Sequence, residues 1–162
     1  SAGCPTPTSS TSRGTRPTRR AAASRMLAVD AEQLGELVES FYRAFLAADR
    51  EALAEIVAPE AAWVVRLDTA LSGAHVGPVG IAALRRQIDE LTAGTWRPLR
   101  EDSFDIATSR SHAVIMDRFL AERGERRLDS HEAVIVAVEG GRVARLFHYL
   151  HDPAAFGAFW SR

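Results

Sequence analysis

The residues whose types could do chemistry are concentrated near the end of the chain, in RVARLFHYLHDP over residues 142–153. Two histidines lie three residues apart there, in a run of bulky apolar residues typical of a buried strand. Successive side chains of a strand point to opposite faces, so His148 and His151 are predicted to diverge instead of sharing a metal ion. His131-Glu132 lacks the second histidine, four residues after the first, of a zinc-binding His-Glu-x-x-His helix. We therefore expect no metal site.

Alternation divides this stretch into two sets of side chains. One face carries Leu146, His148, Leu150 and Asp152, and the opposite face carries Phe147, Tyr149 and His151. A histidine titrates near neutral pH, which makes His148 a candidate for proton transfer. Asp152-Pro153 has a separate task, because an Asp cap followed by Pro at the first helical position is typical of a helix start.

Composition excludes several classes of function. The 162 residues are 46% hydrophobic and 25% charged, as expected of one soluble globular domain. A formal net charge of −1 predicts neither nucleic acid nor a membrane surface as partner, and no apolar run approaches a membrane span. All 20 basic residues are arginine, which excludes Schiff-base catalysis by lysine. The single Cys4 excludes an intrachain disulfide and favours a reducing, cytoplasmic location.

Residues 1–29 are rich in Arg, Ser, Thr and Pro and contain no acid. Such a segment buries too little apolar surface to order itself, so we expect a disordered tail before a domain over residues 30–162. The tail also resembles a transit peptide, and Met26 is an alternative start.

Helices are predicted first and sheet afterwards. Asp30 and Gln33 have the spacing of a capping box, and apolar residues follow at helical intervals to Leu46. Asp49 caps a second helix that Pro59 ends. Short breaks between the later strands predict hairpins and an antiparallel meander. In order, the later segments are a strand over 61–67, a short strand or loop over 71–80, a helix over 79–91, and strands over 97–107, 112–122, 126–138 and 142–152.

This order is that of an α+β cone. The stretches FYRAFLAADREALAEIVAPEAAW, SGAHVGPVGIAAL, GTWRP and EGGRVARLFHYLHDPAAFGAFW resemble the nuclear transport factor 2-like superfamily, in particular its SnoaL-like branch. The resemblance covers about residues 34–161. It implies a cystatin-like α+β barrel, in which a cone-shaped, curved antiparallel sheet packs on three helices from the N-terminal half. It also implies a pocket between the concave sheet face and the first and third helices.

Three groups of this superfamily differ in the residues that act as catalytic acids and bases. Limonene-epoxide-hydrolase-like members use an Arg-x-Asp pair, for which this chain has Arg118 and Leu120, and a last-strand Asp, where His148 stands. Ketosteroid-isomerase-like members use a first-strand Asp, where this chain has Val65, and a Tyr on the first helix, where Tyr42 lies nearby. SnoaL-type polyketide cyclases use a late-strand Asp as acid/base. His148 matches that position and can transfer the same proton.

On this resemblance we expect catalysis by His148 as acid/base, Arg118 as the group that stabilises an enolate or carbonyl oxygen, and Glu132 as its partner or a second base. The expected substrate-binding residues are Tyr42, Trp63, Leu120, Val134 and Leu146. The structural alternatives are a hydrogen-bonded core histidine at His148, a cross-strand ion pair of Arg118 with Glu132, and packing roles for Tyr42 and Trp63.

The resulting hypothesis is a SnoaL-like, cofactor-independent cyclase or isomerase of secondary metabolism, such as antibiotic biosynthesis. It would act on a hydrophobic polyketide-like small molecule by general acid/base catalysis. The alternatives are a non-catalytic small-molecule-binding module of the same fold and an epoxide hydrolase or epoxide-opening cyclase. The aromatic outer face of the last strand predicts a homodimer through the convex side of the sheet.

Overall fold

A computed structural model describes residues 30–99 and 104–162 of the chain. The tail expected over residues 1–29 lies outside the described residues. The described ranges contain four α-helices and seven strands. In chain order they are α1 (Ala31–Leu46), α2 (Arg50–Ile56), β1 (Val57–Val65), β2 (Gly73–Val76), α3 (Gly77–Thr92), β3 (Arg97–Pro98), β4 (Asp105–Thr108), β5 (His112–Arg123), β6 (Arg126–Glu139), β7 (Arg142–Leu150) and α4 (Pro153–Phe159).

Three of the helices begin at the caps that the sequence predicts. The side chains of Asp30, Asp49 and Asp152 each accept hydrogen bonds from backbone N–H groups two or three residues further on, at 2.8 to 3.0 Å. Each cap satisfies donors that have no partner within the helix. Among the helices in the two described ranges, none combines the length and hydropathy that a membrane span requires.

The strands form one curved, unclosed sheet in the order β2-β1-β7-β6-β5-β3, with β4 also paired to β5. As predicted, β5, β6 and β7 form an antiparallel meander. The first strand, β1, pairs with the last strand, β7, in parallel. The α+β class with a curved sheet packed on helices is therefore confirmed.

Two predicted strands differ in extent from the structure, since the strand predicted over 61–67 is β1 and begins at Val57. The segment 97–107 is divided between β3 and β4, which pair with different parts of β5. Pro98 lies opposite Phe119 and Asp105 lies opposite Met116, so the chain advances seven residues while β5 advances three. A single regular ladder cannot connect both pairs. Pro98 also lacks the N–H that a continuing ladder would use.

The hydrophobic core lies between the concave face of the sheet and helices α1 and α3. Its buried helical side chains include Leu34, Val38, Phe41, Phe45, Ile81, Leu84 and Ile88. The strands contribute Trp63, Ala113, Ile115, Phe119, Val134, Val136, Val143 and Leu146. Helix α4 adds Phe156 and Phe159, and the backbone N–H of Ala70 donates to the Trp160 carbonyl at 2.8 Å. This arrangement brings the end of the chain against the same core.

Candidate active site

The register of the sheet decides which polar side chains meet. Asp117 on β5 lies directly opposite Glu132 on β6, and Val134 lies opposite His148 on β7. Directly opposed residues share a face, and residues two apart on one strand do so as well. Asp117, Glu132 and His148 therefore all point to the concave face, toward the core.

His148 and Glu132 form a hydrogen-bonded pair that is mostly shielded from solvent. The imidazole Nε2 lies 2.7 Å from Glu132 Oε2, and the two side chains are only 11% and 10% exposed. Trp63 and Phe156 surround the imidazole edge-on, with ring centroids 5.8 and 5.9 Å away. No described residue forms a hydrogen bond with Nδ1. A carboxylate that accepts from Nε2–H holds the neutral ring in the tautomer whose Nδ1 can accept a proton.

A second carboxyl group, Asp117, lies beside Glu132 and is 2% exposed. The hydroxyl of Tyr42 on α1 donates a hydrogen bond to its Oδ2. Burial above all, and then the negative charge of Glu132, raise the pKa of Asp117 to about 8, while the Tyr42 hydrogen bond acts in the opposite direction. A hydrogen bond between the two carboxyl groups also favours the protonated form. At pH 7 Asp117 is therefore mainly a neutral acid.

Tyr42, Asp117, Glu132 and His148 thus form a continuous row from α1 across β5 and β6 to β7, here called the polar row. Tyr42 contacts Asp117, Asp117 interacts with Glu132, and Glu132 contacts His148. Buried hydrogen-bonded groups of this kind influence one another strongly because little water screens them. A proton held at Asp117 is accordingly coupled to the charge of Glu132, which in turn contacts His148.

The polar row ends at a small cavity between the sheet and the helices, with a volume of about 30 Å³. Glu132 and His148 are the two ionisable residues among the described residues that line it, and the rest of the wall is apolar or aromatic. A larger groove of about 640 Å³ lies where β1 and β7 diverge beyond the Trp63–Leu146 pair. This outer groove shares Val65 and His148 with the cavity. His148 is therefore reached from both spaces.

Two of the predicted site residues lie on the wrong face. Arg118 does not meet Glu132 and His148, because it points to the outer side of the sheet and forms a bidentate pair with Asp129 at 2.7 and 2.6 Å. This pairing lowers the pKa of Asp129. Leu120 lies opposite Asp129 and shares the outer face with Arg118. A shift of one residue along a strand reverses the face, so neither side chain can contact a ligand in the cavity.

The four predicted substrate-binding residues other than Leu120 lie on the inner side, each in a different setting. Trp63 lines the cavity, and Leu146 lines the outer groove. Val134 is buried beside His148 but does not border the cavity. Tyr42 is separated from the cavity by the carboxyl groups of the polar row and acts on Asp117. The expected pocket is thus present, with Tyr42 in a supporting position.

Sequence reasoning missed Asp117, although a signal was present. The other buried members of its strand face are Ala113, Ile115, Phe119 and Ala121. An acid within such an apolar face must be neutralised or paired, and strongly perturbed acids are candidates for functional sites. Asp117 is the acidic residue in this otherwise apolar series.

The two histidines of the terminal stretch diverge as alternation predicts. His151 lies on the outer face, where its ring approaches that of His131 with centroids 6.2 Å apart. Across the described ranges, no group of three or more His, Cys, Asp or Glu residues is arranged to hold a metal ion.

Known proteins resemble this chain in sequence and in fold. No protein-family model matches the chain. The uncharacterized protein Rv0034 of Mycobacterium tuberculosis is 30% identical over 126 residues, which are 78% of this chain and 95% of that protein. The structure of Bal32a, from a soil-derived mobile gene cassette, has a TM-score of 0.71 at 28% identity and covers 80% of this chain and 98% of its own.

Two further solved structures share the fold at lower identity. An NTF2-like protein from Burkholderia xenovorans LB400 has a TM-score of 0.71 at 16% identity, with 82% of this chain and 98% of that chain covered. A putative SnoaL-like polyketide cyclase from Jannaschia sp. CCS1 has a TM-score of 0.62 at 13% identity, with 82% and 94% covered. At these identities the likeness concerns the fold alone.

Proposed function

Because the chain belongs to the nuclear transport factor 2-like superfamily, we propose that it is a cofactor-independent enzyme that moves a proton on a hydrophobic small molecule. The observation that carries the proposal is the hydrogen-bonded His148–Glu132 pair at the wall of an apolar cavity. A histidine oriented by a carboxylate is a common form of general base. The reaction class we propose is isomerisation or cyclisation through an enolate.

The chemistry would begin at His148 Nδ1. This nitrogen removes a proton from a carbon next to a carbonyl group, and the electron pair of the broken C–H bond moves onto the carbonyl oxygen as an enolate. Glu132 stabilises the imidazolium that forms. In an isomerisation His148 returns the proton to another carbon of the conjugated system. In a cyclisation the enolate carbon attacks a second carbonyl carbon, and the new alkoxide takes the proton.

Asp117 supports this scheme from behind Glu132. Since Asp117 is mainly neutral at pH 7, the two adjacent carboxyl groups carry about one negative charge between them. That charge matches the single positive charge that His148 acquires. A second buried negative charge would bind the imidazolium more tightly and make it a weaker acid in the return step.

The substrate class we propose is a polyketide-like ring compound, in keeping with a role in secondary metabolism and a cytoplasmic location. The aromatic wall of the cavity and the fold of the SnoaL-like structure support this class. Ring compounds of this kind occupy sites of roughly 300 Å³ or more. The outer groove is the space next to His148 that has this capacity.

We also propose a homodimer through the outer face. Met116, Phe147 and Tyr149 are apolar or aromatic side chains that are 40%, 44% and 57% exposed on that face. Aromatic residues and Met are enriched at the centres of protein interfaces. Phe147 and Tyr149 also border the outer groove, so a second copy packed on them would close the groove over a bound substrate.

The test is proton exchange on a simple ketone. The full chain is incubated with 1-tetralone in D₂O, and replacement of the hydrogens next to the carbonyl is followed by NMR. We expect exchange above the buffer rate that falls by roughly 10²-fold or more in His148→Gln and in Glu132→Gln. His131→Gln, which changes a histidine on the outer face, is the matched control. Exchange at the wild-type rate in His148→Gln would show that another group is the base.

A non-catalytic binding module of the same fold is the second candidate. The burial of His148 favours it, because a side chain only 11% exposed leaves a substrate carbon little access to Nδ1 without movement of the wall. Saturable binding of 1-tetralone without any exchange above the buffer rate would support this candidate. Epoxide opening is disfavoured, since Arg118 of the Arg-x-Asp position points away from the cavity.

A further inference from the structure

The outer groove between β1 and β7 has an apolar wall that carries basic side chains and no acidic ones. Of the described residues that line it, nine are apolar or aromatic, and the other three are Arg66, Arg145 and His148. No Asp or Glu is among these lining residues. A groove with such a wall suits an apolar ligand that bears a negative charge, because the arginines complement that charge.

Arg66 is the unpaired arginine of this wall. It directly follows Val65, the last residue of β1, and its side chain is exposed. Within the described ranges, Arg66 forms no hydrogen bond and no ion pair. Arg145, in contrast, forms an ion pair with Glu139 at 2.5 Å. A guanidinium without a partner in the chain keeps all of its N–H donors for a carboxylate that comes from a ligand.

The carboxyl groups that lie close to the groove in sequence bind other groups. Asp68, two residues after Arg66, lies 3.9 Å from Arg162 and is 96% exposed. Asp152 caps α4 by accepting a hydrogen bond from the Ala155 N–H at 2.8 Å. Neither acid lines the groove. A ligand in the groove therefore contacts arginine side chains and neither of these carboxylates.

The strand register places Arg66 near the height of His148. The strands β1 and β7 are parallel, and Trp63 opposite Leu146 is their last pair. Arg66 follows Trp63 by three residues, and His148 follows Leu146 by two. At a rise of about 3.3 Å per residue, the two positions differ by roughly one residue along the strands. Since both side chains line the groove, one ligand can contact both.

We propose that the outer groove binds a ring compound that carries a carboxylate, and that Arg66 holds this carboxylate. The ring lies against the apolar wall, with the carbon next to its ketone at His148. The position of the ketone rests on the proposed function, whereas binding of the carboxylate requires only the groove and Arg66. The inference narrows the ligand class from hydrophobic ketones to keto acids.

The number of free charges favours a carboxylate over a phosphate ester. One guanidinium binds one carboxylate through two parallel N–H···O bonds, so a single positive charge meets a single negative charge. A phosphate monoester carries nearly two negative charges at pH 7. Arg145 does not supply the second free charge, because it is paired with Glu139. The wall therefore matches an acid of one charge.

The first test uses the wild-type protein and a matched pair of ligands. 1-Tetralone-6-carboxylic acid and its 6-carboxamide share the ring and the ketone and differ in charge at pH 7. We expect calorimetric titration at about 20 mM salt to show at least about 5-fold tighter binding of the acid, and a smaller preference at about 500 mM salt, because mobile ions screen an exposed pair. Equal affinities at low salt, tighter binding of the amide, or no detectable binding of the acid would overturn the proposal.

The second test assigns the preference to one side chain. Arg66→Gln removes the charge and should lower the affinity for the acid to that for the amide, with the amide affinity unchanged. Arg86→Gln is the matched control, because Arg86 is an exposed arginine on α3 that does not line the groove. Arg86→Gln and Arg145→Gln should both keep the preference. A preference that survives Arg66→Gln, or that only Arg145→Gln removes, contradicts the role of Arg66.

These results can be told apart from those of the exchange assay. A preference for the acid that depends on Arg66, without deuterium exchange next to its ketone, would support the carboxylate site and contradict the proposed enzyme. Exchange on 1-tetralone that depends on His148, without a preference for the acid, would support the enzyme and contradict the carboxylate site.

Discussion

Tyr42 on α1 donates a hydrogen bond to Asp117 on β5, across 75 residues of sequence. This bond joins the first helix to the centre of the sheet. It also counteracts burial and the charge of Glu132, the two effects that chiefly raise the pKa of Asp117. The protonation state of the polar row therefore depends on how the helix packs on the sheet.

The pH dependence of stability should report on Asp117. In the folded chain its pKa is about 8, against an ordinary value of 3.8, so between these pH values the folded state binds more protons than the unfolded state. Stability is then expected to fall as pH rises through this window, by at most about 1.4 kcal/mol for each pH unit. Asp117→Asn keeps the side chain neutral and should flatten this slope. Urea unfolding at pH 4, 6 and 8 measures it.

The matched control for that experiment is Asp129→Asn. The pKa of Asp129 is lowered by Arg118, and this carboxyl is exposed, so its removal should leave the downward slope in place. A slope as steep in Asp117→Asn as in the wild type would mean that Asp117 ionises near its ordinary pKa.

Removal of the Tyr42 hydroxyl should raise the pKa of Asp117 above about 8, because the hydrogen bond that favours the charged carboxylate is lost. Titration of the Asp117 carboxyl carbon by ¹³C NMR in Tyr42→Phe measures the shift. Tyr149→Phe serves as control, since that ring is 57% exposed on the outer face. A midpoint that stays the same or falls in Tyr42→Phe would contradict the role of this bond.

Arg118 is expected to be dispensable for catalysis. Its pair with Asp129 is on the outer face, with side chains 37% and 49% exposed, and exposed ion pairs contribute about 0–1 kcal/mol. Arg118→Ala should therefore retain the wild-type rate of 1-tetralone exchange and lose no more than about 1 kcal/mol of stability. Exchange kinetics and urea unfolding check the two parts, and a large loss of exchange with normal stability would restore Arg118 to the site.

The proposed dimer should depend on the aromatic outer face. Tyr149→Glu places a charge in the centre of that surface and should convert a dimer to a monomer in sedimentation velocity runs. Val79→Glu is the matched control, because Val79 is 58% exposed on α3, away from this face. A wild-type protein that sediments as a monomer at every concentration would remove the proposal.

The junction of β2 and α3 provides a test of packing. Gly77 has φ +65°, and a Cβ there would lie 2.6 Å from the carbonyl oxygen of Pro59. Gly94 has φ +76° with no atom near its Cβ position. Alanine at either site pays the left-handed strain of roughly 1 kcal/mol, but only Gly77→Ala adds a clash, expected to cost about 1–3 kcal/mol more. Urea unfolding of the two variants compares them, and equal losses would contradict the close approach.

Much of this molecule follows from local patterns. Helix caps at Asp30, Asp49 and Asp152 and the meander of the last three strands are confirmed, because capping and hairpin formation involve residues close in the chain. The divergence of His148 from His151 follows in the same way, since alternation is a property of each strand's own backbone.

The register between neighbouring strands does not follow from alternation alone. The sequence predicts Arg118 beside Glu132, but the two-residue turn that pairs Arg123 with Arg126 places Asp117 opposite Glu132 instead. Assigning that turn to Gly124-Glu125 would have predicted the correct register, because turn length sets register in a hairpin. The missed residue was therefore within reach of sequence reasoning.

Contacts between distant segments were decided by packing alone. Tyr42 and Asp117, and the two indoles of Trp63 and Trp160 at one cavity, come together only when α1, β1 and α4 close on the sheet. The raised pKa of Asp117 also depends on tertiary structure, since burial and the approach of Glu132 both require the folded core. Local sequence patterns determine where helices and strands form and how their side chains alternate, whereas the charge and hydrogen-bonding state of the site depends on desolvation by residues far apart in the chain.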